Sequence, residues 1–240
     1  MSPRVPRGLG EGVRPGARPW TGAPGDSRIS WLRECRRVRD MSHDCDATWV
    51  AGVDEVGYGP LAGPVVAAAV ILARGTFLPG LDDSKRLSEK NRERLFTAIV
   101  GECVAIGIAF GSPRDIDREG IVPVTQRTMI DAVRRLGLRP DRVLVDGNRP
   151  IPGLGLSQRA VVGGDARHAV IAAASVVAKV VRDRRMRLLD RHFPGYAMDR
   201  NKGYGTAEHM AALVARGPCP EHRRSFLGSM KRQLDLFEDG

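Results

Sequence analysis

Cysteine is sparse in this chain of 240 residues: Cys35, Cys45, Cys103 and Cys219 are the only four, and no two form a C-x-x-C pair. That spacing excludes a disulfide-stapled scaffold and a zinc ribbon. Histidine is nearly as scarce, with five residues and no cluster suited to zinc. Cys219-Pro220-Glu221-His222 has the spacing of half a zinc site, but no second pair accompanies it, so it reads as structural. The chain also lacks the long continuous apolar run of a membrane-spanning helix and the short apolar core of a secretory signal. No repeat period is visible. An Arg-rich start broken by Pro3, Pro6, Pro15, Pro19 and Pro24 gives an organelle transit peptide little support. These absences lead us to expect a reduced, soluble, cytoplasmic protein with no membrane partner.

What the chain has in excess is positive charge. Lys plus Arg number 38 against 28 Asp plus Glu, a formal +10, and the sequence pI is about 10.2. Such a balance points to a polyanion, nucleic acid first among them. Half of the excess lies in the first forty residues, which hold nine Arg, no Lys and four acids. Residues 1–46 are rich in Pro, Gly and Arg without apolar periodicity, and read as a disordered arm. Met41, just ahead of the first strand-like run, offers an alternative translation start that would make the upstream residues an artefact of the gene model. The rest of the chain has ordinary globular composition, with 42% hydrophobic and 28% charged residues over the whole sequence.

From Thr48 the texture changes. Trp49–Val53 and Pro64–Leu72 are β-rich apolar runs separated by a Gly/Pro-rich turn, and they read as paired central strands. Ser88 is positioned as the N-cap of a helix that runs to Val100. Val104–Phe110 supplies a third strand. Val122–Leu136 has helical apolar spacing and ends at Gly137. Arg142–Asp146 and Arg159–Val162 are short strands, and His168–Leu189 is a long helix, small and apolar at first and basic from Lys179. This order predicts a mixed α/β sheet covered by helices.

Four carboxylates stand at telling places. Asp54 and Glu55 follow a buried-looking strand where it meets a tight turn, Asp146 ends another strand, and Asp165 sits on a Gly-Gly loop ahead of the long helix. Uncompensated acids at a core edge need a cation, and oxygen-ligated Mg²⁺ or Mn²⁺ is the natural one. Strand alternation sends Asp54 and Glu55 to opposite faces. Both serve one site only if the strand ends or twists there, or if one contributes its backbone carbonyl. For Asp165 alone, an N-cap role competes with ligation. Together the four acids meet the requirement of two-metal phosphodiester hydrolysis.

The block Gly52-Val53-Asp54-Glu55-Val56-Gly57-Tyr58-Gly59-Pro60-Leu61-Ala62-Gly63-Pro64 resembles the signature of ribonuclease HII, the type 2 ribonuclease H. Further blocks resemble the family in family order: Asp83-Ser84-Lys85, Val145-Asp146-Gly147-Asn148, Gly164-Asp165-Ala166, Ala172–Asp183, Lys202-Gly203-Tyr204-Gly205-Thr206 and Gly217–Arg223 with Ser225-Phe226. The resemblance implies an RNase H-like fold with a mixed five-stranded sheet flanked by helices and a small C-terminal helical extension. It implies an endoribonuclease that hydrolyses RNA in RNA/DNA hybrids and incises 5′ to single ribonucleotides in duplex DNA. The products would be a 3′-hydroxyl and a 5′-phosphate. It places catalysis and the binding of two Mn²⁺ or Mg²⁺ ions on Asp54, Glu55, Asp146 and Asp165.

By the same resemblance, Gly57 and Gly59 sense the ribose 2′-hydroxyl through close backbone approach. Tyr58 replaces the family's usual Arg, so a phosphate contact is lost and a ring is gained. Tyr204 resembles the tyrosine that packs on the nucleotide 3′ to the junction, where it favours deoxyribose; the competing reading is a tyrosine packed under a glycine turn. Lys85, Lys179 and Arg182 are candidate phosphate contacts. The chain ends in a polar segment in which Gln233, Leu234, Leu236 and Phe237 resemble the pentapeptide that docks bacterial repair proteins on the sliding clamp. The expected organisation is an arm over 1–46, a catalytic domain over 47–195, a helical substrate-binding extension over 196–229 and a flexible tail over 230–240, acting as a monomer. A catalytically silent nucleic-acid-binding module is the alternative, and the presence of all four acids argues against it.

Overall fold

The computed structural model describes residues 49–81, 84 and 87–228. The residues of the proposed arm, Lys85 and the tail residues Gln233, Leu234, Leu236 and Phe237 lie outside it. Strands β1 (Val50–Val56), β2 (Val65–Leu72), β3 (Cys103–Gly111), β4 (Arg142–Asp146) and β5 (Gln158–Val161) form one sheet in the order β3-β2-β1-β4-β5. β1, β2 and β3 are antiparallel neighbours, while β4 and β5 run parallel to β1. The mixed five-stranded sheet expected from the sequence is therefore present. It puts the C-terminal ends of β1 and β4 side by side.

β2 shows why the sheet forms as it does. All but one of its eight residues, Val-Val-Ala-Ala-Ala-Val-Ile-Leu, are buried, as a central strand covered on both faces requires. Its odd and even positions feed two different cores. Val66, Ala68 and Val70 meet helices α1 (Glu89–Glu102) and α4 (Ala169–His192), while Ala67, Ala69 and Ile71 meet α3 (Ile121–Arg134). Alternation along one strand thus sorts side chains between two helical layers. Where α4 crosses β1, a Cβ on Gly52 would lie 2.2 Å from the Val170 carbonyl carbon. Only glycine admits that approach, and it presses α4 against the acid-bearing strand.

Helix boundaries follow capping chemistry. Ser88 accepts from the Asn91 amide at 3.3 Å and opens α1 as expected. α2 (Pro113–Glu119) was not foreseen, although Ser112-Pro113 carries its start signal: Ser112 accepts from the Asp115 amide, and Pro occupies the first turn. A third core gathers Ala62, Met186, Leu189 and the segment after α4, including Tyr196, Met198, Leu213 and Cys219. That segment holds α5 (Met198–Asn201) and α6 (Ala207–Arg216). Among the described residues no helix is long and apolar enough to cross a membrane.

Candidate active site

β1 does not stop at Val53. It continues through Val56, with Asp54 paired to Ala68 and Glu55 to Ala67, so both acids lie inside a regular strand rather than at a turn. Alternation holds: Asp54 shares the α4 face with Ala68, and Glu55 falls on the α3 face. Neither an ended strand nor a local reversal unites their carboxylates. Asp54 is 7% exposed and accepts from the Ser175 hydroxyl of α4. Ser175 is in turn hydrogen-bonded to Ser84 at 2.8 Å.

The parallel register Val53↔Val145 places Asp146, one residue on, beside Asp54 and on the same face. The Gly164 amide donates to Asp146 at 2.8 Å and ties the turn Gly164–Ala166 to β4. That turn carries Asp165, which is buried and lines a cleft with Thr76, Phe77 and His168. The N-cap of α4 is His168, so Asp165 does not cap the long helix. Burial, with the like charges of Glu55 and Asp146, pushes the Asp54 carboxyl up to about 8. Among the described residues no three acidic, His or Cys side chains already form a metal cage. The donors are nevertheless hard oxygens in a crowded anionic pocket, which suits a small divalent cation.

Beside the acids runs the loop 57–64. Gly57 has φ +91°, and a Cβ there would fall 2.2 Å from Arg182 Nε, so only glycine fits. Two guanidiniums hold this loop from below. Arg223 donates to Gly57 O at 2.6 Å, to Tyr58 O at 2.9 Å and twice to Gly63 O. Arg182 donates to Pro64 O, Ala62 O and Lys202 O at 3.0, 3.1 and 2.9 Å. Both side chains are fully buried. Burial and the neighbouring Arg182 lower Arg223 to about 9, which leaves it cationic at neutral pH.

This corrects the expectation for Arg182, whose donors are aimed at carbonyls rather than at an incoming phosphate. Lys179 also differs from a free cationic contact: it donates to Asp183 at 2.8 Å and is largely buried. Tyr58 and Tyr204 are each 46% exposed. The segment carrying Tyr204 is fixed to the same loop, since Leu61 N donates to Gly203 O at 2.8 Å. Gly203, at φ +84°, would with a Cβ strike Ala62 O at 2.3 Å, so the turn that carries Tyr204 is held closely against the loop.

Several site residues were not singled out from the sequence. Ser175 is the lone polar residue in an apolar helical run, which was a legible signal. Arg223 sat in a matched block without an assigned role, and His222 was read only as structural. His209 in α6, bonded to His222 across the C-terminal core, had no local signal at all.

Residues 51–229 match the family model of ribonuclease HII. The ribonuclease HII of Geobacter metallireducens is 52% identical over 179 residues, which are 75% of this chain and 84% of that protein. Among solved structures, the ribonuclease H2 of Pyrococcus horikoshii superposes with a TM-score of 0.64 at 25% identity, covering 74% of this chain and 93% of that one. The ribonuclease HII of Archaeoglobus fulgidus, solved as a complex with PCNA, gives 0.62 at 28% identity over 72% of this chain and 92% of that one.

Proposed function

Because the chain belongs to the ribonuclease HII family and is a ribonuclease H, we propose that it hydrolyses the RNA strand of RNA/DNA hybrids and incises duplex DNA 5′ to single embedded ribonucleotides. The observation that carries this reading is the juxtaposition of an acid pair, Asp54 and Asp146 on one face of adjoining parallel strands, with a glycine loop clamped by two buried guanidiniums. The first supplies chemistry on a phosphodiester, and the second supplies a rigid backbone surface for reading a sugar.

Asp54, Asp146 and Asp165 would hold the Mg²⁺ or Mn²⁺ ions, with Glu55 adding its backbone carbonyl, because its carboxylate occupies the opposite face. When bound, the ions supply an activated water and stabilise charge on the departing oxygen. Ser175 orients Asp54 and favours its ionised form. Gly57 and Gly59 present backbone to the ribose, and Tyr58 offers a ring beside them where a relative with Arg would offer a charge. Tyr204 packs on the next nucleotide. Lys85 adds a phosphate contact, and 196–229 is the substrate-binding extension. The products are a 3′-hydroxyl and a 5′-phosphate, as ribonucleotide excision repair in the cytoplasm requires.

The tail residues Gln233, Leu234, Leu236 and Phe237 would dock on a sliding clamp. Deleting 233–240 should abolish clamp association while cleavage of short duplexes continues; clamp binding that persists overturns that part. For the chemistry, Asp54→Asn tests the reading. Cleavage should vanish while hybrid binding remains, and residual metal-dependent cleavage in the variant would contradict it.

A further inference from the structure

The segment Cys219–Arg223 reaches two substrate-facing elements at once. Arg223 holds the carbonyls of the 57–63 loop, as described above. His222, one residue earlier, enters a chain of hydrogen bonds whose direction is fixed at both ends. The Cys219 amide donates to His222 Nδ1 at 3.0 Å, and the Cys219 thiol, 3.1 Å from the same nitrogen, can then only donate to it too, so Nδ1 is an acceptor and the ring proton lies on Nε2. At the far end, His209 Nδ1 lies 2.9 Å from the Tyr204 carbonyl, which can only accept, so His209 carries its proton on Nδ1. Between them, His222 Nε2 donates to His209 Nε2 at 3.0 Å. Both ends demand the same pair of neutral tautomers. Both imidazoles are buried, and burial lowers their basicity. Tyr196 packs against both rings and donates to Gly217 O at 2.7 Å, which closes the pocket.

We propose that His209 and His222 form a neutral hydrogen-bond relay that positions Tyr204 relative to the 57–63 loop, and so act as positioning residues for discrimination at the ribonucleotide junction. This rests on the reading of Tyr204 as the residue that packs on the nucleotide 3′ to the junction. The relay holds Tyr204 through its backbone carbonyl, leaving the ring half exposed for substrate. The same short segment anchors the glycine loop, so the two surfaces keep one spacing.

The test compares kcat/KM on a duplex with one embedded ribonucleotide against a uniform RNA/DNA hybrid. In wild type the first should be favoured. His209→Leu should lower that ratio about fivefold to tenfold, the scale of one hydrogen bond. His209→Asn keeps a donor near the Nδ1 position and should restore most of it. If His209→Leu does not fold, His209→Gln, which reaches toward His222 but not Tyr204, takes its place with the same expected loss. In a Tyr204→Ala background, removing His209 should leave the ratio unchanged. Parallel loss on both substrates, with the ratio intact, overturns the inference, because a purely structural histidine behaves that way. An Asn variant as impaired as Leu also overturns it. A wild type that never cleaves the single-ribonucleotide duplex overturns the substrate reading first and this inference with it.

Discussion

Arg223→Met is the perturbation whose magnitude the structure fixes best. The guanidinium is fully buried and is bonded to three carbonyl oxygens, those of Gly57, Tyr58 and Gly63. Hydrogen bonds to a charged donor are each worth about 1.5–3 kcal/mol, so the four made by Arg223 would sum, if independent, to roughly 6–12 kcal/mol. They are not independent. Methionine fills part of the volume and removes the cost of burying a cation, so a loss of about 3–5 kcal/mol is expected, as for other broken buried charge networks. For a chain of this size that corresponds to a fall in Tm of about 10 °C. Arg184→Met is the control. Arg184 is an exposed partner of Glu93, and its loss should cost no more than about 1 kcal/mol. Urea unfolding followed by circular dichroism measures both. An Arg223→Met variant within about 1 kcal/mol of wild type would refute the clamp as a source of rigidity.

Two further outcomes follow from the same geometry. Gly57→Ala should fold less stably and lose most cleavage, since its Cβ would fall 2.2 Å from Arg182 Nε at a positive φ; full activity in that variant would contradict the tight loop. His222, whose neutral form burial and His209 favour, should titrate near pH 4 by NMR. Because its folded pKa lies below the unfolded value, its contribution to stability is complete above about 6.5 and is lost as pH falls toward 4. His222→Gln should therefore flatten the pH dependence of unfolding across that window, and an unchanged slope would argue against a neutral pair.

Most of the sheet was legible because its strands are short, nearly all-apolar runs bounded by Gly, Pro or acids, and the long helix because its apolar stretch outlasts any strand. α2 was passed over because seven residues carry too little periodicity, although the Ser112-Pro113 start was in view. The acids were legible because charge at the end of an apolar strand is conspicuous. Their exact setting was not: the extent of β1 depends on pairing with Ala67 and Ala68, which no local pattern reveals. Arg182 was misread for the same reason. On a helix turning basic it looked like one more exposed cation, and only the packing of the 57–64 loop and Lys202 over it turns the guanidinium inward. The His209–His222 pair joins residues thirteen apart across a core that forms only when the C-terminal segment folds back.

On the proposed function, the Asp54–Asp146 site and the clamped glycine loop together cut beside a ribose. Mapping the cleavage position on a duplex with one embedded ribonucleotide, with Mg²⁺ or Mn²⁺ added, tests it most directly. A single incision 5′ to the ribonucleotide, with a 3′-hydroxyl and a 5′-phosphate and absent from the all-DNA duplex, is the predicted result. Cleavage of the all-DNA duplex at the same rate, or none of the ribonucleotide-containing one, would overturn the assignment of a ribose-reading nuclease.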